Sequence, residues 1–232
     1  MAGSPASSGA LSGVAMIEGF KRIGGVLSAL ALMGCAGVGA AQEPVVVPPE
    51  VAGVDQVMTA AELAAWGRRR QDPGALIMAA RLLAEVPMRA GEEGGSALMT
   101  VDSLLDEAAA LSEGHPAWLD AIAQVREAGV RGVQSSPFGR GPIFTVKDIR
   151  ARETWGFDVE ARPGEVLRIA AIGDGDTDID LVIRDARGGL VCQDGFGDHY
   201  PVCTIPPRQA GRMRIDIVNR GAVWTKVQIL SN

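Results

Sequence analysis

Apolar and polar positions change their period along the chain. Thr59-Ala60-Ala61-Glu62 reads as a capping box, with Thr hydroxyl and Glu carboxylate each satisfying a backbone N–H at a helix start, and Leu63, Trp66 and Gly67 follow on one face. Asp72-Pro73 opens a second helix, Asp as N-cap and Pro at the first position, with Leu76, Ala79, Ala80 and Leu83 at helical spacing and Pro87 closing it. Thr100 caps a third helix from about Val101 to Ser112, whose stripe is Leu104, Leu105, Ala108 and Leu111, ending at Gly114. His115-Pro116 opens a fourth, where Trp118, Leu119, Ile122, Val125 and Val130 face the others. These are two successive helical hairpins.

After a Gly/Ser/Pro-rich joint, Arg131 to Gly141, the period becomes two. Trp155, Phe157 and Val159 alternate with Gly156, Asp158 and Glu160, and Leu167, Ile169 and Ala171 with Arg168 and Ala170. Ile179, Leu181 and Ile183, then Met213, Ile215 and Ile217, then Val223, Thr225, Val227 and Ile229 repeat the pattern. Turns at Arg162-Pro163-Gly164, Ala186-Arg187-Gly188-Gly189 and Asn219-Arg220-Gly221 make these antiparallel strands of a β-sandwich. The expected fold class is α+β in two segregated parts: helical hairpins over 59–130, a linker over 131–141, and a β-sandwich over 142–232.

The N-terminus carries a different signal. Lys21 and Arg22 precede an apolar run, Ile23 to Gly34, shorter than the roughly 20 residues a spanning helix needs. Residues 1–41 therefore read as a signal peptide, with Met16 a plausible true start after an Ala/Gly/Ser-rich leader. Gly39-Ala40-Ala41 before Gln42 suits ordinary cleavage; Leu32-Met33-Gly34-Cys35 is similar to a lipoprotein lipobox in which Cys35 would take lipid. Met33 is uncommon at its place in that box, which puts ordinary cleavage first. The expected location is periplasmic or secreted, with a membrane-anchored lipoprotein as the alternative and no spanning helix. Residues 42–58, Pro/Val-rich at their start, are expected to be an extended linker.

Either cleavage leaves Cys192 and Cys203, on two strand-like arms around a Gly/Asp turn, and predicts a disulfide across a β-hairpin. Such a bond fits an oxidising compartment. The net charge of −6, with no basic tract longer than Arg68-Arg69-Arg70, argues against nucleic acid as partner. Those three arginines complement the C-terminal dipole of their helix.

Two resemblances follow from the residues. Trp66-Gly67, Ala79 and Leu83 make residues 59–87 weakly similar to a tetratricopeptide hairpin, which implies peptide binding in a groove; a plain helical packing unit is the competing reading. Phe157-Asp158-Val159, Pro163-Gly164, Leu167 to Ala171, Asp178 to Asp185, the Cys192/Cys203 segment, Pro206-Pro207 and Gly211 to Asn219 together resemble the bacterial pre-peptidase C-terminal domain over residues 142–230. That resemblance implies a secreted, jelly-roll-like sandwich appended to extracellular enzymes as an accessory or binding module. No protease domain accompanies it in this chain.

Chemistry is thin by comparison. Asp174, Asp176, Asp178 and Asp180 alternate beside a strand entry and are the candidate Ca²⁺ ligands, although Ile179 occupies the place of an EF-hand glycine; a solvated acidic turn is the favoured reading, and no other cofactor is expected. Asp194, Asp198 and His199 read as turn formers with an exposed histidine. The chain has two histidines, His115 and His199, and no G-x-S-x-G elbow accompanies them, so no catalytic residue is assigned. Trp224 is the candidate exposed aromatic for binding, and Trp155 is expected inward. The sequence-based expectation is a non-catalytic exported envelope protein acting as an interaction or accessory module. Its partner would be an envelope protein or a cell-wall glycan; the alternatives are a carbohydrate or cell-wall binding module and, third, a secreted hydrolase.

Overall fold

The later part of the expected tether and the first expected helix form one element. In a computed structural model describing residues 45–232 except 93, 131–135 and 207, helix α1 spans Pro49–Arg70. Pro49 stands at its first turn with Glu50 beside it, and Val51, Val54, Val57, Met58, Ala61 and Ala64 are buried at helical spacing. The expected helix start at Thr59 is thus corrected, as is the extended linker from residue 49 onward. Thr59 lies mid-helix, where its hydroxyl donates to the Asp55 carbonyl at 2.9 Å instead of capping. The signal peptide, Cys35 and residues 131–135 of the 131–141 joint lie outside the described residues.

The remaining helices form where expected. Asp72 Oδ1 accepts from the N–H groups of Gly74 (2.8 Å) and Ala75 (3.2 Å) to start α2, Pro73–Ala84. Thr100 and Ser103 cap α3, Val101–Leu111, reciprocally, and α4 is Pro116–Val130. Trp66, expected on the core face of α1, is 42% exposed with the Arg70 guanidinium over its ring, and Trp118 and Leu119 are also exposed, whereas Ile122 and Val125 are buried.

Strands β1 (Arg89–Ala90), β2 (Ile143–Ile149), β3 (Thr154–Ala161), β4 (Leu167–Gly173), β5 (Ile179–Asp185), β6 (Leu190–Asp194), β7 (Val202–Ile205), β8 (Gly211–Asn219) and β9 (Thr225–Ser231) make two sheets. Their orders are β1-β2-β9-β4-β7 and β3-β8-β5-β6, antiparallel except for the β1–β2 pair. The fold class is therefore α+β with helices N-terminal and a β-sandwich C-terminal.

The two parts share a core, which departs from the expectation of domains separated by a linker. Residues 42–232 form one unit. Ile169 and Ala171 of β4 point into the sandwich with Leu181, Ile183, Ile215, Ile217, Val227 and Ile229. Ala170 and Ile172, with Leu230 of β9 and Phe144 of β2, point the other way and join Val54, Val57, Met58 and Ala61 of α1. A strand buried on both faces reads as a continuous apolar run, and Ile169-Ala170-Ala171-Ile172 is one. Two polar ties cross this layer: Arg168 on β4 pairs with Asp55 on α1, and the fully buried Gln228 accepts from the Leu98 N–H at 2.7 Å. The segment between α2 and α3 also adds β1 to the sheet, so the helical part contributes a strand.

Candidate functional site

Register places four loops at the same end of the sandwich. Ile149 faces Thr225, Thr154 faces Val218, Gly173 faces Val227, Ile179 faces Asn219 and Leu181 faces Asp194. The loops 150–153, 174–178, 195–201 and 220–224 therefore cluster, and sheet order sets the 174–178 loop between the other two long ones.

Asn219 holds this end together. It is 1% exposed, and its Nδ2 donates to the carbonyls of Val223 (2.7 Å), Arg150 (3.0 Å) and Ile149 (3.3 Å). Its Oδ1 accepts from the Gly221 N–H at 2.9 Å and the Thr177 hydroxyl at 3.1 Å. One buried amide with its donors and acceptor in use joins three loops. Asn219 was expected only as a turn residue; its type in the first position of Asn219-Arg220-Gly221 signalled a side chain that bonds the backbone two residues on.

The candidate calcium ligands do not converge. Asp174 accepts from the Thr225 hydroxyl (2.7 Å) and the Lys226 N–H (2.9 Å), fastening its loop to β9. Asp176 is exposed in the turn, and Asp178 has one carboxylate oxygen buried without a hydrogen-bond partner among the described residues. Asp180 is 5% exposed and ion-paired to Arg220, with Nε 2.6 Å from Oδ2. Gly195 lies against that pair: a Cβ there would come within 2.9 Å of Asp180 Cγ, so only glycine fits without displacing the bridge. Among the described residues no group of three or more His, Cys, Asp or Glu side chains stands where it could hold a metal ion. The calcium assignment to Asp174, Asp176, Asp178 and Asp180 is corrected accordingly: three of the four lie in the loop between β4 and β5, where no strand alternation keeps them on one face, and Asp174 and Asp180 are taken up by β9 and Arg220.

Cys192 and Cys203 are bonded, with Cα atoms 5.9 Å apart. They do not lie across a hairpin. Cys192 is on β6 and Cys203 on β7, which belong to different sheets, so the disulfide staples the two layers together and the 195–201 segment crosses between them.

Aromatic side chains project from this end. Phe196 is 93% exposed in the 195–201 loop and Trp224 is 59% exposed in the 220–224 loop. Val223, expected to open the last strand inward, is exposed beside Trp224 because β9 starts at Thr225. Trp155 packs part-buried against the sandwich core, with Lys147 over its ring. The His199 ring lies against that of Tyr200, tilted 51° with 4.7 Å between ring centroids. Burial of Tyr200 pushes its phenol above the ordinary value, against the pull of Arg68 and Arg69. On the open face of β3 and β8, hydrogen bonding from Arg212 holds the exposed Asp158 carboxyl below the usual carboxylate range.

No protein-family model matches the chain, and no curated protein matches it. Among solved structures, the chain is similar to a mitogen derived from Yersinia pseudotuberculosis, at 9% identity and TM-score 0.30 over 40% of this chain and 85% of that one. It is similar to PliG of Aeromonas hydrophila, a periplasmic inhibitor of g-type lysozyme, at 10% identity and TM-score 0.29 over 39% and 86%. A de novo designed double-stranded β-helix matches at 15% identity and TM-score 0.25 over 38% and 97%. Likenesses of this size decide nothing about the activity of this chain. Among the described residues no helix is long and apolar enough to cross a membrane.

Proposed function

We propose that this chain is a non-catalytic exported envelope protein that binds a partner protein through the loop end of its sandwich. The observation that carries the reading is the pair Phe196 and Trp224, exposed on either side of the 174–178 loop on a scaffold that Asn219 holds in place. Aromatic side chains standing in solvent on a rigid platform are the usual anchors of recognition surfaces. Export is supported by the Lys21-Arg22 and Ile23 to Gly34 pattern and by the inter-sheet disulfide. The order of strand motifs along residues 142–230 remains our reason for relating the sandwich to the pre-peptidase C-terminal domain, whose members act as accessory modules.

Crosslinking of the tagged protein in its native envelope, read by mass spectrometry against an unrelated exported control, tests this. Selective recovery of one envelope protein, lost in the Phe196→Ala/Trp224→Ala double variant, is the expected result. Recovery unchanged by the double variant, or no enrichment over the control, overturns it. A second reading, binding of cell-wall glycan, is favoured by Trp224, whose exposed indole offers a stacking face for a sugar ring.

A further inference from the structure

A cleft of about 460 Å³ opens where the C-terminal turns of α1 meet the loop end of the sandwich. Its size falls within the roughly 300–1,000 Å³ of small-molecule sites. Its apolar side is made by Ala61, Ala65, Met99 and Ile172, from α1, the segment before α3, and β4. Its polar side is made by Arg69, Asp174, His199 and Tyr200.

Of this polar side, Asp174 is already engaged by Thr225 and Lys226, and the other three groups are unspent. Arg69 and the side-chain polar atoms of His199 and Tyr200 make no hydrogen bond or ion pair among the described residues, although all three face the same opening. Arg68, next to Arg69, is different: its guanidinium is held by Glu107 at 2.6 and 2.8 Å. Arg69 offers only donors, the Asp174 carboxylate only acceptors, and the phenol and imidazole offer both. A ligand that satisfies this set must donate and accept along one edge while presenting an apolar face to Ala61, Met99 and Ile172.

Charge narrows the class. Glu107 neutralises Arg68, the Asp174 carboxylate lines the same cleft as Arg69, and at Tyr200 the carboxylates of Glu62 and Asp198 act against Arg68 and Arg69. The C-terminal end of α1 adds partial negative charge at the same place. An anion gains little from such a field and a cation meets Arg69. We propose that this cleft binds a neutral saccharide, its hydroxyls bonded to Arg69, Asp174, His199 and Tyr200 and its C–H face laid on the apolar side. The inference rests on the glycan reading for its ligand class and moves the sugar from the exposed Trp224 indole to this cleft.

Calorimetric titration of the full mature chain with N,N′-diacetylchitobiose tests it, with the cationic glucosamine dimer and the anionic galacturonic acid dimer as comparators of similar size. The expected result is saturable binding of the neutral sugar and weaker binding of both charged ones. Tyr200→Phe and Arg69→Ala, each removing hydrogen bonds to the ligand, lower affinity about three- to tenfold at unchanged melting temperature, and Arg187→Ala, in the exposed turn at the opposite end of the sandwich, leaves it as it was. Absence of saturable binding, or charged dimers binding as tightly, overturns the proposal. Affinity lost in Trp224→Ala but kept in Tyr200→Phe and Arg69→Ala also overturns it, while leaving the glycan reading intact with the sugar at the exposed indole.

Discussion

Single side chains decide how firmly the loop end is held. Asn219→Ala leaves the carbonyls of Ile149, Arg150 and Val223 without their donor, and destabilisation of about 1–3 kcal/mol is expected in a denaturant melt. Tyr200 is the only tyrosine in the chain, so phenolate absorbance reports it alone. Its folded pKa is raised, chiefly by burial, above the ordinary 10.0, so its contribution to stability is complete below the unfolded value and is lost as pH rises through the folded one. The titration midpoint of the native chain should lie above that of the chain in denaturant, and Arg69→Ala should move it higher still. The aspartates of the 174–180 run act as internal acceptors, for β9 in the case of Asp174 and for Arg220 in the case of Asp180. Adding calcium or a chelator is therefore expected to leave the melting temperature unchanged; a rise with calcium would restore the metal site.

At the scale of elements, caps and staples can be told apart by their cost. Thr100→Ala removes a true N-cap and should cost about 1 kcal/mol, whereas Thr59→Ala, inside α1, should fall within about 0.5 kcal/mol of the parent in the same denaturant melt. Near-equal costs would return the helix start to Thr59. The disulfide joins β6 to β7 across the sandwich, so its loss frees the 195–201 crossing and the edge of each sheet. The Cys192→Ala/Cys203→Ala variant is expected to lose about 2–4 kcal/mol, seen as a lower denaturation midpoint. A tetratricopeptide-like groove would need the inner face of α1 free for a peptide; Val54, Val57, Met58 and Ala61 bury that face on the sheet.

For the whole molecule, the helical layer and the sandwich depend on each other. Residues 142–232 alone would expose Phe144, Ala170, Ile172 and Leu230, a contiguous apolar face on β2, β4 and β9. The isolated fragment is expected to aggregate or to lack dispersed NMR signals, while a chain of residues 42–232 unfolds in one transition; a well-folded fragment would show the layers to be independent. The same packing creates the cleft, because α1 and the 199–200 segment are brought together only when the helices lie on the sheet.

Local patterns were legible where the physics is local. The caps at Asp72 and Thr100, the period-two strands and the pairing of Cys192 with Cys203 all follow from residues within a few positions or from simple elimination, and the structure has them. The start of α1 is written in Val51, Val54, Val57, Met58 and Ala61, but the local capping-box pattern at Thr59 competes with it, and only burial of that face on the sheet makes the longer helix win. Sequence by itself thus determined most element types, the helical character of the N-terminal part and the strands of the C-terminal part, and the exposure of Trp224. Only tertiary structure decided that the disulfide crosses between sheets, that Asn219 joins three loops, that the acidic run disperses its carboxylates, and that α1 covers β4. Those outcomes depend on which strands become neighbours, and that choice is made by burial summed over both faces of a sheet rather than by any short stretch of chain.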